Sequence, residues 1–229
     1  MKQHLRRRNS AAGFSLIEVV VVLTILSIIA GATLPTIQTA RNIQAKRSTR
    51  AELSKLGEAA LEYARDFEAL PTQVADLLED AGDPRWAGPY VGLTMDDEWS
   101  GLSGWRVDGW SEAYELSVSG DLLTITSGGP DRDPGNDDDL VLTVDPTPVW
   151  RAETRRRLAV INQAIVQYNA TYLSTDPLPP SWSLALNKLI AQGYLPAGAY
   201  EYAFDAWGDA FEPDPSGAMP VVQATSSNL

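Results

Sequence analysis

The 229-residue chain has no cysteine, and its only histidine, His4, lies among the first thirteen residues. Disulfides and thiolate metal sites are therefore excluded. Beyond residue 13 the chain also lacks the usual general base and the usual thiol nucleophile. No G-x-S-x-G elbow and no phosphate-binding glycine loop occurs. Positive charge is scarce: 18 Lys and Arg stand against 30 Asp and Glu, a formal net charge of −12. A surface this acidic repels a phosphate backbone, which argues against nucleic-acid binding, but it is compatible with divalent cations. These absences point to a structural or binding role and away from an enzyme.

Near the start the chain carries one long apolar run. Phe14, Leu16, Ile17, Val19 to Leu23, Ile25, Leu26, Ile28 and Ile29 would cover every side of a helix that continues to Leu34. A helix apolar all round belongs inside protein or lipid, and residues 14–37 are expected to cross a bilayer. Glu18 breaks the run, and an unpaired charge there would cost several kcal/mol. Ahead of it, Lys2, Arg6, Arg7 and Arg8 form a basic leader expected to stay on the cytoplasmic side. Two simpler readings compete: an uncleaved signal anchor, which leaves Glu18 without a role, and a secretory signal cut after Ala30-Gly31-Ala32.

The basic leader, Gly13-Phe14, Ser15-Leu16-Ile17-Glu18, the apolar helix and Pro35 together resemble the prepilin signal of type IV pilins and type II secretion pseudopilins. The resemblance implies cleavage between Gly13 and Phe14 by a prepilin peptidase, with N-methylation of Phe14. It also implies a role for Glu18, whose carboxylate would meet the Phe14 ammonium of a neighbouring subunit and so favour assembly. Loss of residues 1–13 would take the formal charge from −12 to −16. The implied setting is the bacterial inner membrane, single-pass, with the C-terminal heads in the periplasm. The implied partners are copies of the chain, other pseudopilins, the prepilin peptidase and the inner-membrane assembly platform.

From Leu53 the pattern turns amphipathic: Leu53, Leu56, Ala60, Tyr63, Ala64 and Phe67 recur at helical steps. Leu70-Pro71 ends that helix, and residues 71–78 read as a short second one. Residues 81–107, with Trp86, Trp99 and Trp105, read as an ordered loop whose aromatics lie on a core. Asp108-Gly109-Trp110-Ser111-Glu112-Ala113-Tyr114 resembles the D-x-W-G-x-P-Y segment of the type II secretion major pseudopilin. A hairpin follows, Tyr114–Val118 and Leu122–Thr126 around Gly120-Asp121, with a third strand at Leu140–Val144.

Between these strands lies the loop 127–139, with five aspartates within nine residues. Hard oxygen ligands on a loop suit Ca²⁺. It does not scan as an EF-hand but resembles the calcium loop of the major pseudopilin. Ser127, Gly129 and Asp131 match its start, and Asp137, Asp139 and Leu140 match its end. The resemblance therefore implies a Ca²⁺ site drawing on Ser127, Asp131, Asp137 and Asp139. Arg132 departs from the family glycine, and the loop is about three residues shorter than the family's. A solvated acidic turn is the alternative.

After a stiff linker, 146–150, the earlier pattern returns. Arg50-Ala51-Glu52 recurs as Arg151-Ala152-Glu153, and Leu53, Leu56, Ala60, Tyr63 and Phe67 recur 105 positions later as Leu158, Ile161, Ile165, Tyr168 and Tyr172. Leu70-Pro71 returns as Leu178-Pro179, the short helix as residues 182–191, and Asp108-x-Trp110 as Asp205-Ala206-Trp207. The expected fold is α+β and pilin-like: a long N-terminal helix packed on a small antiparallel sheet in a first head, 38–145. A second, partial head over 151–212 and a flexible tail over 213–229 follow. The expected function is a structural pseudopilin-like subunit of a type II secretion filament. The alternatives are a minor pilin or tip adhesin of a type IV pilus, and a membrane-anchored periplasmic binding module that never polymerises.

Overall fold

The computed structural model describes residues 15–92, 105–198, 200–213 and 223–229, with the side chains of 30–37 and 200 outside that description. Gly13, Phe14 and Trp99 thus lie outside the described residues. The chain divides into two compact units, Met1–Lys46 and Arg47–Leu229.

The first unit holds the opening part of helix α1, Leu16–Phe67. Its apolar side chains are exposed, Leu16 at 83% and Ile17 at 70% among them. The hydroxyls of Thr24 and Ser27 bond back to the carbonyls of Val20 and Leu23. Among the described residues no helix is long and apolar enough to cross a membrane. This corrects the expected single-pass span over 14–37, and with it the inner-membrane placement.

The second unit is α+β. Its part of α1 buries Leu53, Leu56, Ala60 and Ala64, the amphipathic stripe expected from the sequence. The stripe packs on a three-stranded antiparallel sheet of β1 (Glu115–Ser119), β2 (Leu122–Ser127) and β3 (Leu140–Val144), in the order β1-β2-β3. Strand β2 alternates as a half-buried strand should, with Leu123, Ile125 and Ser127 inward. Gly120, at φ +58°, makes the two-residue turn between Ser119 and Leu122. Helix and sheet approach closely at Gly57, where a Cβ would stand 2.7 Å from Leu142 Cδ2.

Helix α1 ends at Phe67, and Glu68 follows in the left-handed conformation at φ +54°, a position glycine commonly fills. Helix α2 (Ala75–Leu78) is started by Asp76, whose Oδ2 accepts the backbone N–H of Thr72 and Gln73. In the described part of the following loop, Trp86 meets Tyr90 edge-on, and Tyr90 meets Tyr63. Burial, and then the hydrogen bond to Asp66, push the Tyr90 hydroxyl up to about 12.

Beyond the sheet, Asp145 accepts the N–H of Thr147 and opens helix α3 (Thr147–Tyr172), which carries Pro148 in its first turn. Helix α4 (Trp182–Ala191) lies over it, and the strands β4 (Glu212–Pro213) and β5 (Ala224–Thr225) pair antiparallel. Ile161, Ile165 and Tyr168 of α3 share a core with Trp182, Leu186, Leu189, Phe211 and Ala224. Residues 223–229 fall within the stretch read as a flexible tail, yet they are held down. Ala224 and Thr225 form β5, and Ser226 is buried.

A smaller cluster of Ala64, Trp150 and Ala206 joins the α1 end to α3, and Trp150 Nε1 donates to the Ala64 carbonyl at 3.1 Å. Beside it Arg157, 8% exposed in its side chain, is ion-paired with Glu68 and Glu153.

Candidate functional site

The acidic loop is anchored by a turn built on one buried carboxylate. Asp108, 5% exposed, sits at the start of Asp108–Glu112, where its N–H donates to the Glu112 carbonyl at 2.7 Å. Its Oδ1 accepts the N–H groups of Trp110 and Glu112 at 2.9 and 3.0 Å. Its Oδ2 accepts the Ser127 hydroxyl at 2.5 Å. Three donors satisfy a charge that burial would otherwise make costly. Thr49 of α1 accepts the Gly109 N–H at 2.9 Å, so the turn ties the helix to the first residue of the loop. Next to it, the Tyr114 hydroxyl donates to Glu52 at 2.6 Å. Burial raises the Glu52 carboxyl above its ordinary value, and the Tyr114 bond pulls it partly back. Burial and Glu52 together raise the Tyr114 hydroxyl.

The same arrangement recurs around Asp205. Its N–H donates to the Asp209 carbonyl at 2.8 Å, and its Oδ1 accepts the N–H groups of Trp207 and Asp209, both at 3.0 Å. Its Oδ2 accepts the Ser226 hydroxyl at 2.7 Å, as Asp108 accepts Ser127, and also the Asn228 amide at 2.9 Å. Thr154 accepts the Ala206 N–H at 3.1 Å, as Thr49 accepts that of Gly109. Ser111 and Gly208 occupy matching left-handed positions, at φ 68° and 86°. The isolated bridges Val107↔Ala113 and Phe204↔Ala210 also match. The Asp-x-Trp signal marked both turns in the sequence, but Thr49, Thr154, Ser226 and Asn228 were missed. The two threonines, spaced 105 apart like the apolar stripe, were the available clue. That spacing pairs Glu52 with Arg157, so the recurrence of Arg-Ala-Glu at 151–153 is not the structural match.

Within the loop, the proposed calcium residues separate into two groups. Asp131 and Asp139 are joined through Asn136, whose side-chain amide donates to Asp131 Oδ2 at 2.9 Å and whose backbone N–H donates to Asp139 Oδ2 at 3.3 Å. Asp139 Oδ2 also accepts the Gly135 N–H at 2.7 Å, while its Oδ1 is buried without a partner. Ser127 is committed to Asp108, and Asp137 is exposed. Gly129, at φ +67°, lets the two ends of the loop close, because a Cβ there would stand 2.6 Å from the Asp138 carbonyl oxygen. Among the described residues no group of three or more acidic or histidine side chains is arranged to hold a metal ion. Asp131 and Asp139, bridged by Asn136, leave one buried carboxylate oxygen, Asp139 Oδ1, open to a cation, whereas the Ser127 hydroxyl is turned to Asp108.

In the first unit, Glu18 lies in the first turn of α1, its N–H bonded to the Ser15 carbonyl at 3.0 Å. Ile17, Val21 and Val22 lie beside it on the exposed helix surface, and among the described residues no side chain pairs with its carboxylate.

No match to this chain was found among curated proteins or among solved structures. Residues 8–34 match the family described as the prokaryotic N-terminal methylation motif. That stretch contains Gly13, Phe14 and Glu18, the residues on which the resemblance to the prepilin signal rests. The chain carries a prokaryotic N-terminal methylation motif, the mark typical of type IV pilin-like proteins.

Proposed function

We propose that this chain is a structural subunit of a pseudopilin filament of the type II secretion kind, with no catalytic role. In this reading a prepilin peptidase cuts between Gly13 and Phe14, and the helix that follows packs against the same helix of neighbouring copies. The observation that carries the reading is the methylation motif over residues 8–34, leading into an exposed apolar helix with one carboxylate, Glu18. Glu18 then pairs with the Phe14 ammonium of the next copy, two charges that are each costly when buried alone.

The head is duplicated in this proposal. The support is the repeated aspartate turn: two carboxylates, two threonines and two serines making the same bonds. A calcium ion on the first head, held by Asp131 and Asp139, belongs to the same proposal and is supported by the open Asp139 Oδ1. It would supply positive charge to a loop of five aspartates and fix the lead into β3.

N-terminal sequencing and intact mass of the protein from its own cells test the processing step. A chain beginning at N-methylated Phe14 is expected, and one beginning at Met1 or Thr33 refutes the proposal. Glu18→Ala is expected to leave the protein processed and folded but absent from filaments. Normal filaments from that variant would remove the assembly role.

A further inference from the structure

Among the described residues the first sheet has a third strand and the second does not, yet the strand that lacks a neighbour is not left open. In the first sheet Ile125 of β2 pairs with Leu142 of β3, and Leu142 lies over Gly57 of α1. In the second sheet the registers coincide: Glu212↔Thr225 and Pro213↔Ala224 repeat Glu115↔Thr126 and Leu116↔Ile125. Ala224 therefore stands where Ile125 stands. The Ala224 N–H and carbonyl are directed away from β4, toward the side that β3 covers in the first sheet.

On that side is Asn162 of α3. Its Oδ1 accepts the Ala224 N–H at 2.7 Å, and its Nδ2 donates to the Ala224 carbonyl at 3.3 Å. A primary amide offers one acceptor and two donors in one plane, so it can answer a strand residue as another peptide group would. At the common spacing of 105, Asn162 is the counterpart of Gly57. The first head thus has a glycine that admits a strand, and the second has an asparagine that replaces one.

We infer that Asn162 is a strand substitute: its side-chain amide occupies the place of the missing third strand and closes the β5 edge to strand addition by any other chain. An open edge invites such pairing, and Pro213 blunts the opposite edge of the same sheet. The inference rests on the duplicated-head reading for the identity of what is missing, although the Asn162–Ala224 contact stands without it.

Two measurements on the full chain test it. Amide hydrogen exchange in Asn162→Ala should speed exchange of the Ala224 N–H at least tenfold, with the Thr225 N–H, paired across to Glu212, unchanged. An Ala224 rate within twofold of the native chain overturns the proposal. In the second, a fluorescent peptide of residues 139–144, flanked by lysines, is titrated by anisotropy into the native chain and into Asn162→Gly. Binding at least tenfold tighter to the variant is expected, whereas equal binding or none to either chain overturns the closing of the edge. If Asn162→Gly does not fold, Asn162→Ala takes its place in the titration. Failure of the duplicated-head reading would register elsewhere, as Thr154→Val behaving unlike Thr49→Val while exchange at Ala224 stays as expected.

Discussion

Thr49 and Thr154, 105 positions apart, make one and the same bond: each hydroxyl accepts the backbone N–H of the residue that follows a buried aspartate, at 2.9 and 3.1 Å. Both threonines are fully buried. Valine has nearly the same shape and no acceptor, so Thr154→Val leaves the buried Ala206 N–H unmatched and Thr49→Val removes the acceptor of the partly buried Gly109 N–H. Each is expected to destabilise the protein by about 1–2 kcal/mol, measured by urea unfolding. A change near zero at either position would mean that the turn finds another acceptor.

The Asp205 carboxylate accepts two backbone N–H groups together with Ser226 and Asn228. Asp205→Ala is expected to cost about 3 kcal/mol and to speed removal of residues 223–229 by carboxypeptidase. Asp108→Ala should destabilise the protein without that trimming. Equal trimming in the two variants would show that the C-terminal residues are held by something other than Asp205.

The Tyr114–Glu52 pair gives a pH signature. The folded-state pKa of Glu52 is raised, chiefly by burial. Its contribution is therefore most favourable below the ordinary value of 4.5 and declines as pH rises through the folded value. The Tyr114 hydroxyl limits that decline because it donates to the ionised form. Tyr114→Phe is thus expected to cost about 1–2 kcal/mol at pH 7.5 and clearly less at pH 4. The same loss at both values would mean that the hydroxyl does not serve the carboxylate.

Calcium is expected to raise the melting temperature by several degrees, with EDTA reversing the shift. Calorimetric titration with CaCl₂ should show Asp139→Asn weakened at least tenfold and Asp137→Ala close to native. An unshifted native protein would return the loop to a solvated acidic turn.

Much of the second unit was legible in the sequence because its signals are local. The alternation in β2, the stripe from Leu53 to Ala64 and the strand Leu140–Val144 all occur where spacing placed them. What was missed depends on residues meeting across the fold. Ser226 and Asn228 read as coil, since small polar residues carry no period, yet both reach Asp205. Asn162 sits within an amphipathic helix, and nothing in its neighbours announces that it serves Ala224. The membrane span expected over 14–37 was also a local reading, of apolar residues in succession, and among the described residues no helix is long and apolar enough to cross a membrane.

Glu68 has two duties that pull in opposite directions. As the residue that ends α1 in a left-handed turn, it occupies a conformation that costs a side-chain-bearing residue about 1 kcal/mol. As the partner of Arg157, it must keep its carboxylate. Glycine would suit the turn and strip the guanidinium of a counter-charge, while a neutral side chain keeps the strain without the attraction. The position is therefore frustrated by construction. Sequence variation there should be coupled to residue 157, with an exchange at one site tolerated only alongside an exchange at the other.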